Sequence, residues 1–250
     1  MGGVLQRVVF NPPQPTGGTN REIIAVKNPG DGHQIPVISI PCKKPRFVVI
    51  YSHGNAEDLS SVASWCETIS TRLRVSVFAY DYRGYGRSLG AASEENVFSD
   101  VVAVVNYVKK FFPEDKMVFF GRSLGCAPSI KAATVFKNSR GLIIESPFLT
   151  CVKTVLNTQH TFFFDLFRNE DSIRDCRQPT LVIHGKHDGI VPFRHGEMLY
   201  EIAPNPWGCL WLERAGHNDI DTHFRSDLFR KIDHFLGDIS TDAQENLRRR

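Results

Sequence analysis

The chain has 250 residues, 42% of them hydrophobic and 23% charged, values that suit one large buried core and argue against wholesale disorder. A formal net charge of +3 is too small a basic excess to indicate nucleic-acid binding, and no base-stacking or groove-reading motif accompanies it. No apolar run reaches the ~18 residues of a membrane-spanning helix, and the first residues carry no secretory signal pattern.

Residues 11–20 are rich in Pro, Gly and Thr and read as an irregular leader. Two strand-like runs follow, Glu22 to Val26 and Gln34 to Ile40, and the Asn28-Pro29-Gly30-Asp31-Gly32 turn between them predicts an antiparallel hairpin at one edge. Pro36 lacks a donor and so predicts an edge position for its strand. Arg46 to Tyr51 is a continuous apolar run that enters a buried sheet. From there strands and helices alternate, the pattern of a parallel sheet covered on both faces. Leu59, Val62, Trp65 or Cys66, Ile69 and Leu73 form one helical stripe. Val75 to Ala79 is a strand. Ser93 then starts a helix as N-cap ahead of Glu94 and Glu95, with Val97, Val101, Val104, Val108 and Phe111 on its apolar face.

Met117 to Phe120 is the next strand, Leu124 to Phe136 the next helix, and Pro128 in that helix has no explanation from sequence. Further strands are expected at Gly141 to Glu145, Thr180 to His184 and Cys209 to Leu212, and helices at Val191 to Ile202 and around Phe224, Leu228, Ile232 and Phe235. Between Cys151 and Gln178 the rhythm breaks. That segment carries Phe162, Phe163, Phe164 and Phe167 among polar residues, as either a lid lining an apolar pocket or an ordinary core helix would.

The chemistry concentrates at Gly121-Arg122-Ser123-Leu124-Gly125, a G-x-S-x-G between a strand and a helix. A turn that sharp exposes a serine hydroxyl, needs residues without a Cβ on either side, and aims the N–H of Leu124 at the space above Ser123. Serine alone is a poor nucleophile and needs a base, which in turn needs an orienting acid. Asp188 stands in the turn after a later strand and His217 follows the last strand, so the order Ser, Asp, His is complete. A second oxyanion donor is expected from Asn55, after Ser52-His53-Gly54, with His53 holding that loop rather than acting as base. Asp219 and Asp221 read as surface or capping groups. His184, His187 and Asp188 lack companions at ligand spacing elsewhere, so no metal is expected.

With these residues in hand, the chain resembles the α/β-hydrolase-fold serine hydrolases. It is most similar to the small α/β-hydrolase-domain proteins that act as protein depalmitoylases (the number-seventeen subfamily). The resemblance rests on Phe10-Asn11-Pro12-Pro13-Gln14-Pro15-Thr16, His53-Gly54-Asn55-Ala56, the run Asp81 to Ser88, Gly121 to Gly125, Glu145-Ser146-Pro147-Phe148, His184 to Asp188, and Ala215-Gly216-His217-Asn218-Asp219.

It implies a mostly parallel sheet with an antiparallel N-terminal hairpin and helices on both faces. It also implies a catalytic triad of Ser123, Asp188 and His217, an oxyanion hole from the N–H groups of Asn55 and Leu124, and thioester cleavage of S-acylated proteins as one activity. A substrate pocket from Phe148, Phe162, Phe163 and Phe164 is the expectation for the acyl group. Members of that subfamily carry an N-terminal cysteine cluster whose acylation holds them on membranes. Here no cysteine precedes Cys42, so that anchor is not expected.

The organisation expected is a leader over residues 1–20, one hydrolase domain over 21–238 with a small lid or cap over about 151–178, and a flexible basic tail over 239–250. The six cysteines (Cys42, Cys66, Cys126, Cys151, Cys176 and Cys209) form no C-x-x-C pair and are expected as free thiols in a cytoplasmic setting. Met1-Gly2 is a poor myristoylation signal because Gln6 stands where Ser or Thr is wanted. The reading is an ester or thioester hydrolase that needs no cofactor, takes an acylated protein or a small ester or thioester, binds no nucleic acid and makes at most peripheral membrane contact. A serine peptidase or amidase on the same triad, and a non-catalytic binding protein of this fold, are the alternatives.

Overall fold

Strands β1 (Ile23–Lys27), β2 (Gln34–Ile40), β3 (Val48–Ser52), β4 (Ser76–Tyr80), β5 (Met117–Arg122), β6 (Gly141–Glu145), β7 (Thr180–Gly185) and β8 (Pro206–Leu212) form one sheet in the order β1-β2-β4-β3-β5-β6-β7-β8. This is a computed structural model, and it describes residues 9–13, 19–155, 160 and 165–248. β1 and β2 pair antiparallel, β2 pairs antiparallel with β4, and every later pairing is parallel. All residues of β3, β4, β6 and β7 are buried, as strands covered on both faces must be.

Alternate strand residues feed two apolar layers. Val48, Ile50, Phe119, Ile144 and Val182 pack with helices α2 (Glu94–Val108), α3 (Cys126–Val135) and α4 (Arg194–Ile202). Val49, Tyr51, Phe120, Ile143 and Ile183 pack on the other face with α1 (Leu59–Leu73) and α5 (Arg225–Arg248). The period of two along each strand thus builds the two-layered cover. Ser93 caps α2 by accepting the Asn96 N–H at 3.1 Å, with Glu94 and Glu95 in the first turn. Asp58 and Ser61 close a reciprocal capping box on α1.

Three local expectations change. The strand holding Pro36 lies between β1 and β4 rather than at the edge. In an antiparallel strand a residue's N–H and C=O point to the same neighbour. The Pro36 carbonyl accepts the Asp81 N–H just beyond the last β2–β4 pair, so its missing donor falls where the ladder has already ended. Phe111 lies outside α2 and is 60% exposed, so it is not part of the apolar face. Pro128 is the third residue of α3, because a 3₁₀ turn over Ser123–Gly125 delays the α-helix to Cys126. In a first turn the N–H has no helical partner to lose. At the C-terminal end α5 runs to Arg248. Ile239 within it is buried, and its carbonyl accepts the Arg140 Nε–H at 2.6 Å.

Candidate active site

β5 runs straight into the Ser123 turn, and Ser123 itself has φ 51°, the left-handed region that a non-glycine residue occupies only when its surroundings enforce it. Two glycines are the enforcement. A Cβ on Gly121 would collide with the Gly125 carbonyl, and one on Gly125 would collide with the Ser52 carbonyl at the end of β3. The parallel register that pairs Ser52 with Gly121 brings the turn and the loop after β3 together.

The loops after β7 and β8 meet in the same way, since the register pairs His184 with Trp211 and Gly185 with Leu212. The His187 N–H donates to the Ala215 carbonyl at 2.9 Å and ties one loop to the other. The three loops deliver Ser123, His217 and Asp188 into one hydrogen-bonded chain. His217 Nε2 is 3.0 Å from Ser123 Oγ, and His217 Nδ1 is 2.7 Å from Asp188 Oδ2. A carboxylate accepts, so Nδ1 carries the proton and Nε2 is left to accept from the serine hydroxyl. Asp188 Oδ1 also accepts the N–H groups of Ile190 and Val191, at 2.9 and 2.8 Å. Burial works against its charge, but the bonds from His184, His217 and Val191 outweigh that and hold the carboxyl well below the usual carboxylate range.

A second imidazole reaches the same carboxylate. His184 Nε2 lies 3.2 Å from Asp188 Oδ2 and 3.0 Å from the Val191 carbonyl, both acceptors, so Nε2 is the protonated nitrogen. The ring is fully buried and packs so close to α4 that a Cβ on Gly196 would run into it. Sequence reading weighed His184 only as a metal ligand. Among the described residues no group of His, Cys, Asp or Glu could hold a metal ion. Asp219, the alternative acid, instead accepts the Gly216 N–H at 2.8 Å and sits before the short helix Ile220–His223.

The loop after β3 is held by side chains. The Tyr82 hydroxyl donates to the His53 carbonyl at 2.7 Å, and His53 Nδ1 donates to the Gly54 carbonyl at 2.8 Å. The amide of Asn55 bridges to the N-terminal segment: its Nδ2 donates to the Val9 carbonyl at 2.7 Å and its Oδ1 accepts the Asn11 N–H at 3.0 Å. The Tyr85 hydroxyl donates to the same Oδ1 at 2.5 Å. Residues read from sequence as an irregular leader therefore brace this loop, a role that no local pattern announces.

Ser123, His217, Asn55 and Leu124 all open on one cleft of about 890 Å³. Its lining is mixed, with Phe148, Cys151, Ile190 and Val191 among the apolar residues and Glu57, Arg122, Asn218 and Asp221 among the polar ones. Phe148, one of the four phenylalanines named for the acyl pocket, lines this cleft. Phe162, Phe163 and Phe164 lie outside the described residues. Phe167 is fully buried, with ring contacts at 5.7 Å to Phe10, 5.5 Å to Phe98 and 6.4 Å to Phe148, so it belongs to the core rather than to a pocket wall.

Residues 43–167 match a family model described as "Serine aminopeptidase, S33". Among curated proteins, alpha/beta hydrolase domain-containing protein 17B of Homo sapiens is 33% identical over 197 residues, covering 77% of this chain and 68% of that protein. Alpha/beta hydrolase domain-containing protein aho-3 of Caenorhabditis elegans is 35% identical over 186 residues, covering 73% of this chain and 56% of the relative. The chain therefore spans between about half and two thirds of the length of such relatives. Among solved structures, a Pyrococcus furiosus esterase superposes with a TM-score of 0.76 at 18% identity, over 93% of this chain and 98% of the other. Est1E of Butyrivibrio proteoclasticus, with ferulic acid bound, gives a TM-score of 0.70 at 19% identity, over 86% and 98%. These structural likenesses establish the fold.

Proposed function

The chain belongs to the alpha/beta hydrolase domain-containing protein 17 family, and we propose that it is a serine hydrolase cleaving acyl esters or thioesters through a covalent acyl-enzyme. The observation that carries this reading is the unbroken chain from Ser123 Oγ through the His217 ring to Asp188, with links of 3.0 and 2.7 Å, whose serine and histidine line an open cleft.

His217 Nε2 takes the proton from Ser123 Oγ as that oxygen attacks the acyl carbonyl. Asp188 fixes the tautomer and stabilises the imidazolium that forms. The carbonyl oxygen gathers negative charge, which the N–H groups of Asn55 and Leu124 receive. His217 then returns the proton to the leaving thiol or alcohol, and water repeats the sequence on the acyl-enzyme. The apolar lining residues Phe148, Ile190 and Val191 suit the acyl chain. The polar lining residues Asn218 and Asp221 suit contact with the protein that presents the acylated cysteine. No step calls for a cofactor. Among the described residues no helix is long and apolar enough to cross a membrane. The expected setting is the cytoplasm, with at most peripheral membrane contact.

Reaction with a fluorophosphonate probe tests the assignment. Wild-type protein is expected to label and Ser123→Ala is not; absence of label on folded wild-type protein would leave a non-catalytic scaffold. The family model's description gives the peptidase reading its support. Parallel assays on an acyl thioester, a short ester and an aminopeptidase amide separate the two, and faster turnover of the amide would reverse our ranking.

A further inference from the structure

Building on the hydrolase reading above, we infer that Arg122 is a positioning residue whose guanidinium latches the oxyanion loop and the base loop onto the nucleophile turn. Its side chain is only 12% exposed, and it reaches groups from three other segments of the chain. Nη1 donates to Glu57 Oε1, Nη2 donates to Asn218 Oδ1 at 3.2 Å, and Nε faces Glu145 Oε1, at the end of β6, at 3.5 Å. Glu57 passes the contact on, because its Oε2 accepts the Gly54 N–H at 2.6 Å.

The sequence positions of these contacts give the inference its content. Arg122 immediately precedes Ser123. Gly54, held through Glu57, immediately precedes Asn55. Asn218 immediately follows His217. The proposed nucleophile, the proposed oxyanion donor and the proposed base are thus each one residue from a point gathered by a single guanidinium. A guanidinium spreads five N–H donors over three nitrogens in a rigid plane and so reaches partners on separate segments, whereas an ammonium offers its three donors from a single point.

Gly54 fits the same scheme. A Cβ there would come within 3.0 Å of Glu57 Oε2, so the glycine allows the carboxylate to lie against the loop backbone. The link to Glu145 is the loosest. Among the described residues neither side-chain oxygen of Glu145 nor Arg122 Nε has a hydrogen-bond partner, and the interaction there is one of charge. Arg122 need not touch the reacting atoms to matter. It holds the groups that do, and a misplacement of about 1 Å at such groups is enough to cost about 100-fold in rate.

The experiment compares wild type with Arg122→Gln, Arg122→Lys, Glu57→Gln, Asn218→Ala and the Arg122→Gln/Glu57→Gln double variant. It uses a short acyl thioester as substrate and an alkyl boronic acid as the probe for the tetrahedral state. Arg122→Gln is expected to lower kcat/KM by about 30- to 300-fold, with KM within about threefold and boronate affinity falling in step with kcat/KM, since the loss is confined to the transition state. Arg122→Lys, able to reach Glu57 alone, should recover about a tenth to a third of wild-type activity.

Glu57→Gln alone should lower kcat by about tenfold, and adding it to Arg122→Gln should cost less than about threefold more, because both act through the same contact. If Arg122→Gln does not fold, Glu57→Gln and Asn218→Ala carry the test by themselves, through boronate affinity and the rate of fluorophosphonate labelling respectively. Wild-type boronate affinity and labelling in both of those variants, wild-type kcat/KM in Arg122→Gln, or losses that multiply independently in the double variant would each overturn the latch. A wild-type protein that neither labels nor turns over substrate is a different result, which removes the hydrolase reading itself. In that event faster amide exchange at Gly54 and Asn55 in Glu57→Gln still reads the latch, and unchanged exchange refutes it.

Discussion

The nucleophile turn and the loop after β3 face each other across the same cleft but are held in place by different means. The turn is fixed by main chain against main chain: Gly121 lies against the Gly125 carbonyl, and Gly125 against the Ser52 carbonyl, with no room for a methyl group. The loop is fixed by side chains, with Asn55 bridging to Val9 and Asn11, Tyr85 donating to Asn55, Tyr82 donating to His53 and Glu57 bonding Gly54. Backbone contacts of the first kind admit no intermediate states. Side-chain contacts of the second kind can be weakened one at a time, so this half of the site should be the one that substitutions grade.

Gly125→Ala attacks the rigid half and should have the largest effect. Its Cβ meets backbone that cannot yield, so the cost should exceed the ~1–3 kcal/mol of ordinary overpacking, and fluorophosphonate labelling should vanish along with the loss in melting temperature. A protein that kept its stability and its labelling would show that the turn can relax after all.

The next effect concerns the charge buried behind that turn. Burial pushes the Glu145 carboxyl up to about 7, only partly opposed by Arg122. Because the native pKa lies above that of the unfolded chain, the native state binds the proton more tightly. The corresponding stability is complete below about pH 4.5 and is lost as pH rises through about 7. Glu145→Gln should remove that decline, leaving a variant more stable than wild type at pH 8 by up to about 3 kcal/mol. Urea denaturation of both proteins at pH 5 and pH 8 reads the difference, and parallel pH dependence would refute it.

In the soft half, Asn55→Ala keeps the backbone N–H but cuts the bridge to Val9 and Asn11. A loss of about 10- to 50-fold in kcat is expected, below the full cost of about 10²–10³ for deleting an oxyanion donor, with the melting temperature little changed. Tyr85→Phe removes one donor to the same amide and should cost least, about two- to fivefold in kcat, in line with the ~1 kcal/mol of a single hydrogen bond. If Tyr85→Phe proved as damaging as Asn55→Ala, the loop would be a single brittle unit and the contrast with the turn would fail.

What could be read in advance follows the same division. The alternation of strands and helices is a property of local periodicity, and β2 and β6 begin and end where their patterns do. Ser123, Asp188 and His217 were legible because each occupies a loop that follows a strand, and loop order is a one-dimensional fact. The partners of those residues were not. His184 on Asp188, Arg122 between Glu57 and Asn218, and Asn55 against Val9 and Asn11 are contacts between residues 4, 65, 96, 46 and 44 positions apart. None has a spacing rule. Pro36 misled because a missing donor usually marks a sheet edge, whereas here it marks the end of a ladder inside the sheet. Phe111 misled because a helical stripe was extended past the residue where α2 stops.

Cys126 follows the nucleophile turn directly, and its Sγ lies 3.3 Å from the carbonyls of both Gly121 and Glu145, which share its single S–H as acceptors. The thiol is fully buried, and burial pushes its pKa far above the ordinary thiol range. An alkylating reagent can reach it only while the turn is open, so its modification rate under native conditions measures the population of that open state. The molecule thus carries its own gauge of how tightly the serine is held, without a label having to be introduced.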